Sequence, residues 1–282
     1  MTAIQELIKE IKSLKPIPQI TNQIMQIVED PKASLSDVAD IILFDPIITA
    51  NLLRTVNSAY FALPRRVDSV HDAVALLGLE QIIDVVLLKS GAENLKKGQE
   101  GYGLNEGDLW RYSVSSALLA REIAHRKGSP NKQMIFTAAL LKDIGKVILD
   151  RFVAGSFEKI QNLVQEKGFS FMEAEKKIIG VDHAELGGLV ATNWNFSERM
   201  VHIIRNHHLA DETARQDMDC CIVYLSDILC MMMGIGVGSD GLAYRFHDDV
   251  IKSLGFTEKE LLEIIANFGE NMSKVETLIN SI

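Results

Sequence analysis

Apolar residues along this chain recur at steps of three and four, and period-two alternation occurs almost nowhere. That pattern restricts the fold to packed helices, because a half-buried strand must alternate while an amphipathic helix repeats near 3.6 residues. Ile17, Ile20, Ile24, Ile27 and Val28 follow Pro16-Ile17-Pro18 at helical spacing. Val38, Ile41, Ile42 and Phe44 after Ser36 form a short amphipathic helix that Asp45-Pro46 closes. Asp45 can then cap the next helix, with Pro46 in a first turn where a missing N–H does no harm. Ser69 with Asp72 has the form of a capping box, and Gly78 closes the helix it opens. Further helices are predicted at 79–97, 109–124, 134–149, 154–167, 170–179, 183–193, 197–206 and 218–233. A last one, at 258–280, starts from a Thr257/Glu260 capping box. The fold class is all-α.

The weakest stretch is 98–107, with glycine at 98, 101, 103 and 107. It reads as a flexible connector between an N-terminal helical subdomain, 1–97, and a second helical subdomain, 108–282, which carries the C-terminal helices. The segment 234–241 is also glycine-rich, but it follows a helix rather than a strand and lacks the Lys-Ser/Thr ending of a P-loop. It reads as a flexible loop.

Composition removes several function classes. With 29 basic against 38 acidic residues the formal charge is −9, and no basic stripe offsets it. Such a surface repels phosphate backbones, so no nucleic-acid partner is expected. No apolar run approaches the roughly 20 residues of a membrane span, so no membrane partner is expected either. The first residues lack the basic-then-apolar pattern of a secretory leader. Cys220, Cys221 and Cys230 are odd in number and close together, which argues for reduced thiols in a core rather than disulfides. A cytoplasmic protein is expected.

A scattered set of residues could carry chemistry. Asp143 lies in Leu140-Leu141-Lys142-Asp143-Ile144-Gly145-Lys146, and His183 in Gly180-Val181-Asp182-His183. His207 and His208 are adjacent, and Asp227 lies in Leu225-Ser226-Asp227-Ile228. Imidazole nitrogens with carboxylate oxygens suit Fe, Mn, Zn or Ni, and helical bundles build such sites from side chains on different helices. Taken singly, each residue is equally at home as an exposed histidine or a capping aspartate. Neighbouring histidines diverge on a regular helix, so His207 and His208 can share a metal only at a helix end.

These motifs resemble the HD superfamily of metal-dependent phosphohydrolases, whose signature reads roughly Leu-Leu-His-Asp-Ile-Gly-Lys. More closely, residues 12–235 resemble the HDOD family (HD-related output domain) of bacterial signalling proteins. The matching motifs are Pro16-Ile17-Pro18, Asp45-Pro46, Asn57-Ser58-Ala59-Tyr60 and the Ala-x3-Leu-Gly run from Ala73 to Gly78. The resemblance implies an HD-like helical domain preceded by an N-terminal helical subdomain. It places Asp143, His183, His207, His208 and Asp227 at metal-ligand positions.

Two departures stand out. Tyr112 occupies the place of an early histidine ligand, and Lys142 that of the signature histidine. Loss of two imidazoles, with an ammonium placed where a dication would sit, disfavours the first metal position. The expectation is a degenerate site and a non-catalytic signal-transduction output or scaffold module. At most one divalent transition metal (Fe, Mn, Zn or Ni) would occupy a residual site. The implied partners are signalling proteins or a nucleotide-like small ligand. The alternative is a metal-dependent phosphohydrolase acting on a nucleotide or cyclic dinucleotide. A further expectation is that Lys142 replaces the first metal by pairing with Asp143, Asp227 or both; the alternative is that its flexible stem turns the ammonium out to solvent.

Overall fold

The structure is a computed structural model that describes residues 3–14, 21, 23–26, 35–43 and 45–282. In chain order its helices begin with α1 (Ala3–Ser13), α2 (Leu35–Leu43), α3 (Pro46–Val56), α4 (Val70–Leu77) and α5 (Leu79–Leu95). There follow α6 (Asp108–Arg126), α7 (Lys132–Leu141), α8 (Ile144–Ala154), α9 (Phe157–Lys167), α10 (Phe171–Ile179) and α11 (His183–Asn193). The last are α12 (Glu198–Arg205), α13 (Glu212–Arg215), α14 (Met218–Met232), α15 (Asp248–Ser253), α16 (Glu258–Glu270) and α17 (Met272–Ser281). Among the described residues there is no strand, only one isolated bridge between Gln99 and Leu104. The Pro16-Ile17-Pro18 start, Ile20, Ile27, Val28 and Phe44 lie outside the described residues; Ile24 is described and buried.

Side-chain caps set many of the boundaries. Asp45 Oδ1 accepts from the amides of Ile47 and Ile48 at 2.9 and 3.0 Å, and Ser69 Oγ from Asp72 N at 3.0 Å. Thr257 and Glu260 cap each other's amides at 2.8 and 3.3 Å. Each cap satisfies donors that the first helical turn leaves open, worth about 1 kcal/mol. Asn57 acts differently. Its Nδ2 donates to the carbonyls of Leu53 at 2.7 Å and Val67 at 2.8 Å, and its Oδ1 accepts from Val67 N at 2.8 Å. The connector after α3 is thereby tied back to the end of that helix.

Two long helices expected from the sequence are each a pair. The 134–149 run breaks at Lys142-Asp143 into α7 and α8, and the 258–280 run breaks at Asn271 into α16 and α17. The first break has a packing cause. Gly145 lies so close to the start of α11 that a Cβ there would overlap the carbonyl oxygen of His183, so α8 must leave the axis of α7. Residue 154 ends α8, and α1, α13 and α15 are additional to the helices read from the sequence.

The chain forms two compact units. One comprises Met1–Lys15 with Asn94–Ile265, the other Pro16–Glu93 with Ala266–Ile282. The 98–107 segment thus lies inside the first unit instead of linking two halves. It is not slack: Gly101 N donates to Asp150 Oδ1 at 2.7 Å, and Tyr102 is buried. Each chain end also sits with the other half of the sequence, because α1 packs on α8 and α17 on α3. In the second unit Thr55 Oγ1 donates to the carbonyl of Ser281 at 3.5 Å, and Lys89 bonds the carbonyl of Ile282. In the first unit α6 is buried along nearly its whole length between α7 and α14, while α11 packs on α8 and α12. Each Leu, Ile or Val side chain buried there contributes about 1.5–3 kcal/mol of gross transfer free energy.

Candidate functional site

Five elements of the first unit deliver the site. Tyr112 comes from α6, Lys142 and Asp143 from the α7–α8 junction, and His183 is the first residue of α11. His207 and His208 follow α12, and Asp227 lies within α14. Adjacent residues on an unbroken helix diverge by about 100°. The break at Lys142-Asp143 removes that constraint and lets the two side chains meet. A helix end does the same for the histidines: the chain leaves α12 at Asn206, and Leu209 turns it with a φ of 55°. The rings of His207 and His208 then lie 4.0 Å apart, and His208 lies 4.8 Å from the ring of His183.

One half of the site is a closed network of opposite charges. Lys142 is fully buried (0% exposed) and its Nζ bonds Asp143 Oδ2 and lies 2.5 Å from Asp227 Oδ1. The ammonium also sits 4.6 Å from the centre of the Tyr112 ring. Lys146 Nζ reaches Asp143 Oδ1 at 2.9 Å and Asp240 Oδ2 at 2.6 Å. Asp227 further accepts from Tyr112 OH at 2.7 Å and from Tyr244 OH. Every oxygen of Asp143 and Asp227 therefore has a cationic or hydroxyl partner. Burial alone would raise Asp143, but Lys142 and then Lys146 hold it well below the usual carboxylate range. Burial opposes the charge on Lys142 as well, yet Asp143 and Asp227 prevail and push it up. The expected ion pair of Lys142 is present, to both carboxylates.

The other half is built of imidazoles. His183 Nδ1 bonds Glu175 Oε2 at 2.7 Å, and the His183 amide donates to the same oxygen at 3.0 Å. His207 Nδ1 bonds the carbonyl of Ile204 at 2.7 Å. Both rings therefore direct Nε2 inward, the orientation that carboxylate or carbonyl partners impose on metal-bound histidine. His183 Nε2 lies 2.7 Å from His208 Nε2, whereas His207 Nε2 is buried without a partner. Burial, the largest single influence, opposes the charge on His183, but the charge and hydrogen bond of Glu175, with Asp143, leave it above its usual pKa. Burial lowers His207 to about 3. It also takes His208 well below its usual value, with His207 and His183 adding to the effect.

A metal fits these two halves unequally. One nitrogen from each of His183, His207 and His208 lies within 4.8 Å of the others, an N3 set suited to Zn or a neighbouring transition metal after a modest closing movement. Asp143 Oδ1 stands 3.8 and 3.9 Å from His183 Nε2 and His207 Nε2. Its oxygens are already engaged by lysines, and Asp227 faces Lys142 instead of the imidazoles. The carboxylate half does not fit a dication; the imidazole half does. A second grouping, His202, Asp217 and Cys220, has Asp217 clamped by Arg199 at 2.7 Å, which leaves it a poor ligand.

Several members of the network went unassigned in the sequence. Lys146 stands in the Asp143 motif but reads as an ordinary helical lysine. Glu175 is buried and also accepts from Tyr102 OH at 2.7 Å; nothing in its local sequence sets it apart from Glu173. Asp240 belongs to the glycine-rich segment read as a flexible loop. That segment is packed: a short helical turn spans Ser239–Ala243, and Gly238 lies against the Tyr102 carbonyl with no room for a Cβ. The signal for both glycine-rich stretches is small size allowing close approach, which composition cannot separate from slackness.

Comparison with known proteins defines the class. The model of the HDOD domain matches residues 14–210, and the chain belongs to the HDOD family. An uncharacterized protein of Treponema pallidum is 26% identical over 198 residues, covering 68% of this chain and 37% of that protein. The chain thus spans little more than a third of that relative. An HDOD domain protein of unknown function from Geobacter sulfurreducens has a crystal structure with a TM-score of 0.75 and 26% identity, covering 99% of this chain and 96% of that one. A Marinobacter aquaeolei protein named for signal transduction gives a TM-score of 0.77 at 19% identity, covering 99% and 65% of the two chains; that likeness shows the fold alone. No helix among the described residues is long and apolar enough to cross a membrane.

Proposed function

We propose that this HDOD protein is a non-catalytic signal-transduction module. In this reading it works by binding a signalling protein or a small, nucleotide-like ligand around a degenerate HD site. One observation carries the reading: the Lys142 ammonium lies between Asp143 and Asp227, where hydrolysis of the HD type would call for a metal. A catalytic metal polarises a phosphoryl oxygen and generates hydroxide near neutral pH; an ammonium generates no hydroxide, and this one is engaged by two carboxylates. The tyrosine at 112 supports the same reading, since its hydroxyl donates to Asp227 rather than ligating.

The expected result is no turnover of nucleotides, cyclic dinucleotides or a generic phosphodiester with Mn, Fe, Ni, Zn or Mg added. Turnover near 1 s⁻¹, the low end for ordinary enzymes, that disappears in Asp143→Ala would sink the proposal.

The runner-up, a metal-dependent phosphohydrolase acting on a nucleotide or cyclic dinucleotide, draws on the convergence of His183, His207 and His208. Those three residues would hold one transition metal, which when bound supplies Lewis acidity. Glu175 orients His183 for it, and a ligating imidazole binds through a deprotonated nitrogen. Elemental analysis of the protein against His183→Ala tests this residual site: about tenfold or greater loss of affinity is expected, and equal metal content in the two would remove His183 from it.

A further inference from the structure

Beside the imidazoles opens a cleft of about 170 Å3, slightly larger than the roughly 150 Å3 of an engineered cavity that admits benzene. Phe171 and Met172 give it apolar lining, and Arg215, Arg245, Glu173 and Asp240 give it charge. All but one of these charges are neutralised nearby. Asp240 is held by Lys146 at 2.6 Å, and Arg245 pairs with Glu173 at 2.8 Å.

Arg215 is the exception. It is half-buried, and its Nε donates to the Leu209 carbonyl at 3.0 Å. Among the described residues no carboxylate lies within ion-pairing distance of it. The Leu209 bond engages Nε, and Arg215 lines the cleft. Its charge is felt in the cleft: burial first, and Arg215 next, hold the lining residue His247 below its usual pKa and keep that imidazole neutral.

We infer that this cleft binds a small organic monocarboxylate with an apolar body, the carboxylate on Arg215 and the body against Phe171 and Met172. The inference rests on reading the module as a binding rather than a hydrolytic one. Charge selects the class. A carboxylate matches one unneutralised guanidinium, whereas a phosphate monoester carries about −1.5 to −2 near pH 7 and would face Glu173 and Asp240 with a single free cation. Shape agrees, because the planar fork of arginine forms two parallel bonds to a planar carboxylate.

Benzoate is the probe, titrated into the full chain by calorimetry, with benzamide as the neutral isostere and phenyl phosphate as the more highly charged one. Benzoate should saturate, with both others at least about tenfold weaker. Arg215→Gln should weaken benzoate about tenfold to a hundredfold. Glu173→Gln keeps a glutamine able to serve in the Ser170 capping box while freeing Arg245, and should tighten benzoate severalfold. Thermal unfolding of each variant establishes that it is folded. No saturation by about 10 mM benzoate, or unchanged affinity in either variant, overturns the inference, as does tighter binding of phenyl phosphate than of benzoate. Release of phenol from phenyl phosphate is a separate outcome: it strikes at the non-catalytic reading, and the benzoate titrations still decide the cleft.

Discussion

The carboxylate half of the site and the imidazole half lie side by side, yet one is saturated and the other is not. Around Asp143 and Asp227 every oxygen is met by a lysine or a tyrosine hydroxyl. Around the histidines one buried nitrogen, His207 Nε2, has no hydrogen-bond partner. A buried polar atom without a partner costs about 1–3 kcal/mol. The difference is between charges that satisfy one another and imidazoles that leave one nitrogen open.

The sharpest way to break this contrast is Asp143→Ala. It takes one of two carboxylate partners from each of two buried ammonium groups, leaving Lys142 to Asp227 and Lys146 to Asp240, and loss of such charged hydrogen bonds costs about 1.5–3 kcal/mol. Unfolding in denaturant should register that loss; a change under about 1 kcal/mol would mean that the carboxylate half is not the anchor.

A smaller effect separates the imidazoles by pH. His207 titrates near 3 when folded against about 6.5 unfolded. The unfolded chain therefore binds a proton first, and stability falls as pH drops below about 6.5. His208, also lowered, acts in the same direction. His183, raised, acts oppositely: its contribution is present below about 6.5 and is lost as pH rises through its folded value. Between pH 6.5 and 5 the wild type should lose up to about 1.4 kcal/mol per pH unit for each lowered imidazole, and His207→Phe should lose less. Parallel profiles for the two proteins would show that His207 is not held neutral.

The gentlest probe is Tyr244→Phe, which removes one of several donors to Asp227. The expected cost is about 1 kcal/mol, and Lys142 should keep its place. A cost matching that of Asp143→Ala would mean that the hydroxyls, and not the ammonium, hold the network.

Much of the helical scaffold was legible because caps are local. Asp45, Ser69 and the Thr257/Glu260 box act on amides within three residues, and those starts appear as the sequence reads. The break at Lys142-Asp143 was not legible, since both residues tolerate a helix interior and the cause, the approach of Gly145 to His183, lies 38 positions away in the chain. The placement of Lys142 was readable once Asp143 and Asp227 were expected in one cleft, because three charges in a small volume admit few arrangements. Lys146, Asp240 and Glu175 escaped for the converse reason. Each is an ordinary residue in its own segment and acquires a role only through partners in another.

The Lys142 ammonium is tethered to the backbone by four methylene groups, which gives it a local concentration that no change in the surroundings can alter. A core held by a dissociable ion is stabilised by mass action, so its folded fraction follows the free ion concentration and falls when a chelator competes. In the carboxylate half the cation between Asp143 and Asp227 is instead part of the chain itself. The pairing within the carboxylate half therefore needs no dissociable ion, and any fall in the unfolding midpoint caused by a strong chelator would have to come from an ion held by His183, His207 and His208.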